Sequence, residues 1–160
     1  MKRRRTGSNA MVVVKATRPI DKSLICVTQT VTGTAGTTTL ATAAFPCTIT
    51  GLRWDLCLVP GTSSAQTAYW AIIRVKDGQN LGNFLITDGS TFYEPEQELL
   101  AFGVNSVSDG DTTLDFRAHW KGSTKTKRKM MVGDTLRFVT IGTNTTSGTL
   151  RGVVQFFCQT

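Results

Sequence analysis

Histidine is nearly absent from this 160-residue chain: His119 is the only one. No GxSxG serine, HExxH pair or nucleophilic cysteine motif accompanies it, so acyl transfer and zinc hydrolysis lack their parts. Its place in a strand pattern beside Trp120 gives it a structural role. The four cysteines, Cys26, Cys47, Cys57 and Cys158, show no CxxC spacing. A zinc site would have to gather dispersed ligands, and buried reduced thiols are the expectation. No glycine-rich loop is followed by a lysine and a helix, which removes a nucleotide-phosphate cradle. No apolar run reaches the roughly 18 residues of a membrane span, and the N-terminus lacks the apolar core of an export signal. We therefore expect no enzyme, no cofactor, no metal and no membrane insertion.

Acids are also scarce, with 11 Asp and Glu against 18 Lys and Arg, a formal net charge of +7. The charges are segregated. Four cations lie in Lys2–Arg5 and five in Lys121–Lys129, whereas six of the acids lie between Glu94 and Asp115. Glu94, Glu96 and Glu98 would need a cleft to act as a glycosidase pair, and read instead as a solvated or interface patch. DGD at 109–111 lacks the rest of a calcium loop and reads as a turn.

What is plentiful is threonine, glycine and alternation of apolar with polar residues. Ile25, Val27 and Val31 oppose Thr28, Thr30 and Thr32, with a turn at GTAG (33–36) and a second strand over 37–45. Leu52, Trp54, Leu56 and Leu58 share a face, but Ile49 is out of phase with them, and a bulge at Gly51 would restore the register. Residues 67–76 are apolar on both faces: Tyr69, Ala71, Ile73 and Val75 on one, Trp70 and Ile72 on the other. Such a strand is central or covered by a neighbouring subunit, and Tyr69, Trp70 and Ile72 are candidate subunit contacts. Further strands are expected at 83–87 and 113–120. One helix is expected over PEQELLAFG (95–103), with Pro95 in its first turn and Gly103 at its end. The last forty residues read as three strands, 123–131, 135–142 and 149–158. Leu136 and Phe138 face inward in the second of them, and Leu150, Val154, Phe156 and Cys158 in the third. About nine short strands with regular turns make an all-β antiparallel sandwich or jelly roll. Residues 1–18 form a basic, flexible arm, and 19–160 the folded domain.

Two basic elements stand out. Lys2, Arg3, Arg4 and Arg5 suit neutralisation of phosphates, and equally a nuclear import signal read by a host receptor. In the strand KGSTKTKRKMM, Lys121, Lys125, Lys127 and Lys129 share one face with no acid among them, and Thr124, Thr126 and Arg128 hold the other. Neither face is apolar before Met130, so this strand meets either solvent or a polyanion. No aromatics interleave the lysines to stack bases, which argues against sequence-specific reading. Trp54, Trp70 and Trp120 lie in apolar patterns and suit core or subunit contacts better than a sugar platform.

A basic arm, an all-β domain of this length, a lysine strand entering a GD turn (STKTKRKMMVGDTLRFV) and a closing strand GTLRGVVQFFCQT form a recognisable set. It resembles the single jelly-roll capsid proteins of small circular single-stranded DNA viruses, the circovirus-like group encoding a replication initiator. The resemblance implies an eight-stranded jelly roll, self-association of sixty copies into an icosahedral shell, and a single-stranded DNA genome within. It places the protein in the virion, and in the host nucleus or cytoplasm during assembly. By position Lys2, Arg3, Arg4 and Arg5 match the family's inward-pointing arm, and Lys125, Lys127 and Lys129 would line the lumen. The family's arms are longer and richer in arginine. Sixty copies of four charges supply about 240, well short of a genome of a thousand or more phosphates. The lumen face must add charge, other counterions must help, or this chain is shortened. A coat protein of the same fold for an RNA virus, and a β-sandwich carbohydrate-binding or appendage module, are the alternatives.

Overall fold

The computed structural model describes residues 20–61, 66–79, 97–107, 118–142 and 148–160. These form eight strands: β1 Ile20–Val31, β2 Gly36–Thr42, β3 Cys47–Val59, β4 Gln66–Val75, β5 Gln97–Val107, β6 Ala118–Met130, β7 Thr135–Gly142 and β8 Gly148–Gln159. All pairings are antiparallel. One sheet runs β1-β8-β3-β6 and the other β2-β7-β4-β5. Thus β1 pairs β8, β2 pairs β7, β3 pairs β6 and β4 pairs β5. That is one long antiparallel ribbon rolled up on itself, the jelly roll.

The alternation of the sequence builds the core between the sheets. Val27, Val31, Leu52, Leu56, Leu58, Leu136, Phe138, Leu150 and Val154 are fully buried there. The expected irregularity in β3 is present: register shifts between Ile49 and Gly51 against both β6 and β8, and Ile49 joins the core. Strand β4 is interior to its sheet and buried on both faces. Trp70 and Ile72 pack in the main core, and Ala71, Ile73 and Val75 form a second cluster with Val139.

Each open side of the sandwich is tied by polar groups. On the side of the edge strands β1 and β2, the Gln29 amide donates to Thr38 Oγ1 at 2.5 Å and accepts from Thr140 Oγ1 at 2.8 Å. On the other side Arg128 of β6 pairs with Glu98 of β5. Arg74 bridges onward, 3.3 Å from Glu98 and 2.7 Å from Asp134. Asp134 is buried and also accepts the Met131 and Asp77 backbone N–H groups at 2.8 and 3.1 Å. Burial raises its pKa, but those N–H groups and the Arg74 guanidinium outweigh burial and hold the carboxyl below the ordinary value of 3.8. Gly133, at φ 88°, supplies the left-handed residue that lets this turn close.

Two expectations about elements are corrected. The segment 95–103 is not a helix, because from Gln97 it belongs to β5. Gly103 is no helix cap. It stands directly opposite Trp70, and a Cβ there would lie 2.5 Å from the indole. Pairing along the edge of a sheet outweighed a weak local helical preference. The strands expected separately at 113–120 and 123–131 run together: Ala118 to Met130 is one continuous strand. The arm at 1–18 and the strand at 83–87 lie outside the described residues.

Candidate nucleic-acid interface

Strand β6 is an edge strand, which explains how it carries so much charge without an apolar face along most of its length. Opposite Leu52 and Trp54, its residues Thr124 and Gly122 turn toward the core. Lys121 and Lys125 stand opposite Asp55 and Gly51, and Lys129 opposite Thr48, on the outer face. Lys121, Lys125, Lys127 and Lys129 are all exposed. The lysines therefore share one solvent-facing row, as their alternation predicts.

The sheet adds cations that a reading strand by strand had not assembled. Register places Arg53 of β3 beside Gln155 of β8, Arg151 beside Cys57, and Lys22 of β1 beside Phe157. All three are exposed on the same outer face as the lysine row. Their signal was visible in the chain as Arg53 alternating with Leu52 and Trp54, and Arg151 with Leu150. Only the pairing brings them together. The Arg53 guanidinium lies over the Phe157 ring, 5.3 Å from its centre, so this face carries an aromatic although none interleaves the lysines.

Among the described residues, one carboxylate sits within this basic field. Asp55 is 3.1 Å from Lys121 and 3.6 Å from His119. The hydrogen bond from Lys121 is the main influence holding its pKa below 3.8, with His119 helping. His119 is thus an exposed partner of Asp55. Between Asp55, His119, Arg151 and Cys26 lies a shallow depression of about 380 Å³. Gly152 also lines it, and a Cβ there would meet the Asp55 carbonyl oxygen at 2.0 Å.

Other expected residues fall elsewhere. Lys2, Arg3, Arg4 and Arg5 lie outside the described residues, as do Glu94, Glu96 and the DGD at 109–111. Arg128, on the inner side of β6, is committed to Glu98. Trp70 and Ile72 are wholly buried within this chain, so they are not contacts for a neighbouring subunit; Tyr69, half-buried on the opposite face, keeps that option. Trp54 and Trp70 pack against each other inside, leaving Trp120 as the one exposed indole. No cluster of three or more His, Cys, Asp or Glu side chains suited to a metal occurs among the described residues. No helix among them is long and apolar enough to cross a membrane.

The arrangement suits broad, water-exposed contact with a polyanion along a pleated surface, through charge and one cation–π stack. Compared with known proteins, the chain matches no protein-family model and no curated protein sequence.

Proposed function

We propose that this protein is a viral coat protein that self-associates into a closed shell and packages single-stranded DNA. The observation that carries this reading is the charge on one sheet of the jelly roll. The outer face of β1-β8-β3-β6 presents Lys22, Arg53, Lys121, Lys125, Lys127, Lys129 and Arg151 against Asp55 alone among the described residues. In the proposed shell this sheet faces the lumen. A cationic face there supplements the four charges of Lys2–Arg5, which by themselves are too few for a genome. The chemistry is association, not bond making. Phosphates are neutralised, counterions are released, and assembly depends on salt accordingly.

The sugar-binding alternative loses its main support, since two of the three indoles are in the core. An RNA genome stays a live outcome, because neutralising a phosphate backbone does not distinguish the sugar. Expression of the protein, electron microscopy of the purified material and sequencing of nuclease-protected nucleic acid test the reading together. Closed particles holding DNase-sensitive, RNase-resistant strands are expected on disruption. A monomer that persists across pH and salt would overturn it, and RNase-sensitive contents would change the genome assignment.

A further inference from the structure

Residue order scatters the four cysteines, yet the fold brings two of them to one opening. At one end of the sandwich a groove of about 250 Å³ opens between the sheets, and Cys47, Met130 and Cys158 all line it. Cys47 belongs to β3, which runs between β6 on one side and β8 on the other. In β6, Met130 stands directly opposite Cys47. In β8, Cys158 stands opposite Ile49, so it is the diagonal neighbour of Cys47. All three side chains are on the inner face of their sheet. Met130 and Ile49 belong to the core, Cys47 packs against it, and Cys158 continues the inward alternation of Val154 and Phe156.

Diagonal neighbours on one face of an antiparallel pair have Cβ atoms somewhat less than about 7–8 Å apart. A disulfide needs about 3.5–4.5 Å, so Cys47 and Cys158 are set too wide for one, and both thiols are reduced. The same spacing leaves room for a single ion between two sulfurs, each metal–thiolate bond being about 2.3 Å. The other residues of the groove are apolar, apart from the hydroxyls of Ser23, Thr42 and Thr160. No acidic or histidine side chain is among those lining it.

We propose that Cys47 and Cys158, with the Met130 thioether as a third and weaker ligand, bind one soft monovalent cation of the copper(I) class. Thiolate and thioether sulfur suit copper(I), whereas zinc calls for four ligands and calcium for a shell of oxygens. Binding forms two metal–sulfur bonds and releases the two thiol protons to water, with no change in oxidation state. The ion ties β3 to β8, and through Met130 to β6, at the open end of the sandwich. The site involves no nucleic acid and is independent of the coat-protein reading.

Copper(I) is offered anaerobically to the full-length protein as a coloured chelate, and transfer is read as loss of the chelate's colour. One equivalent per chain is expected. Cys47→Ser and Cys158→Ser should each weaken binding by at least about a hundredfold, the upper end of the cost of losing a partner that merely supports a ligand. Met130→Leu should weaken it less than either, and Cys26→Ser should leave it unchanged. A chain that takes no copper(I), or takes it equally well with both serines in place, would overturn the proposal. A second measurement needs no variant. One equivalent of silver(I) should protect Cys47 and Cys158 from iodoacetamide, quantified by mass spectrometry of the peptides. Cys26, exposed on the outer sheet face, should stay reactive. Protection of Cys26 in place of the groove pair, or of no cysteine, would overturn the site as well.

Discussion

Trp54 and Trp70 meet edge to face across the middle of the sandwich, ring centres 5.2 Å apart and planes at 60°. Each comes from a different sheet, and each covers a glycine directly opposite it on an edge strand, Gly122 and Gly103. A Cβ at either glycine would come within 2.5 Å of its indole. The same device thus appears once in each sheet: a missing side chain on the edge leaves room for a large ring on the interior strand.

Gly103→Ala and Gly122→Ala should each destabilise the fold by about 1–3 kcal/mol, the usual range for forcing extra volume into a packed core. Urea unfolding followed by tryptophan fluorescence measures this. Gly33→Ala, which meets nothing within 4 Å, is the control and should leave the midpoint nearly unmoved.

Asp134 ties the β6–β7 turn to Arg74 and to the Asp77 backbone. Its pKa is lower folded than unfolded, so its contribution is fully present above the ordinary value of 3.8. The contribution fades as pH falls through the depressed folded value. Unfolding free energy should therefore drop on acidification below about pH 4, and Asp134→Asn should flatten that drop. At neutral pH the variant should lose about 3 kcal/mol, since it leaves Arg74 with Glu98 as its remaining ionic partner.

Arg53 and Arg151 test whether the whole sheet face engages nucleic acid. With single-stranded oligonucleotides, each lost phosphate contact lowers the slope of log affinity against log salt by about 0.7. Arg53→Ala with Arg151→Ala should therefore reduce the slope by about 1.4, measured by fluorescence anisotropy across a salt series. An unchanged slope would restrict binding to the lysine strand and the arm.

Asp55→Asn works in the opposite direction. It removes the carboxylate that holds Lys121 and leaves the basic field unopposed among the described residues. Oligonucleotide affinity at low salt should rise by a few fold, and the gain should shrink as salt screens it. Stability should change little, because the group is exposed to water.

Much of this was legible from residue order. Alternation in β1, β3, β7 and β8 named the inward side chains, and the phase break at Ile49 predicted the irregularity beside Gly51. The lysine row was also visible, since period-two placement of Lys121, Lys125, Lys127 and Lys129 needs no partner to be noticed. The edge strand β5 was harder. Strand β5 reads locally as a weak helix with a glycine end, because nothing within PEQELLAFG reveals that Trp70 fills the space over Gly103.

Residue order by itself determined the alternation, the all-β character and the segregation of charge, because each is a property of neighbours along one strand. Tertiary structure alone decided which strands lie side by side. That decision brought Arg53, Arg151 and Lys22 next to the lysine row, withdrew Arg128 to Glu98, and turned Trp70 and Ile72 inward. The reason is physical: a side chain's face follows from a two-residue period, but its cross-strand neighbours follow from how the whole ribbon rolls to bury its apolar surface.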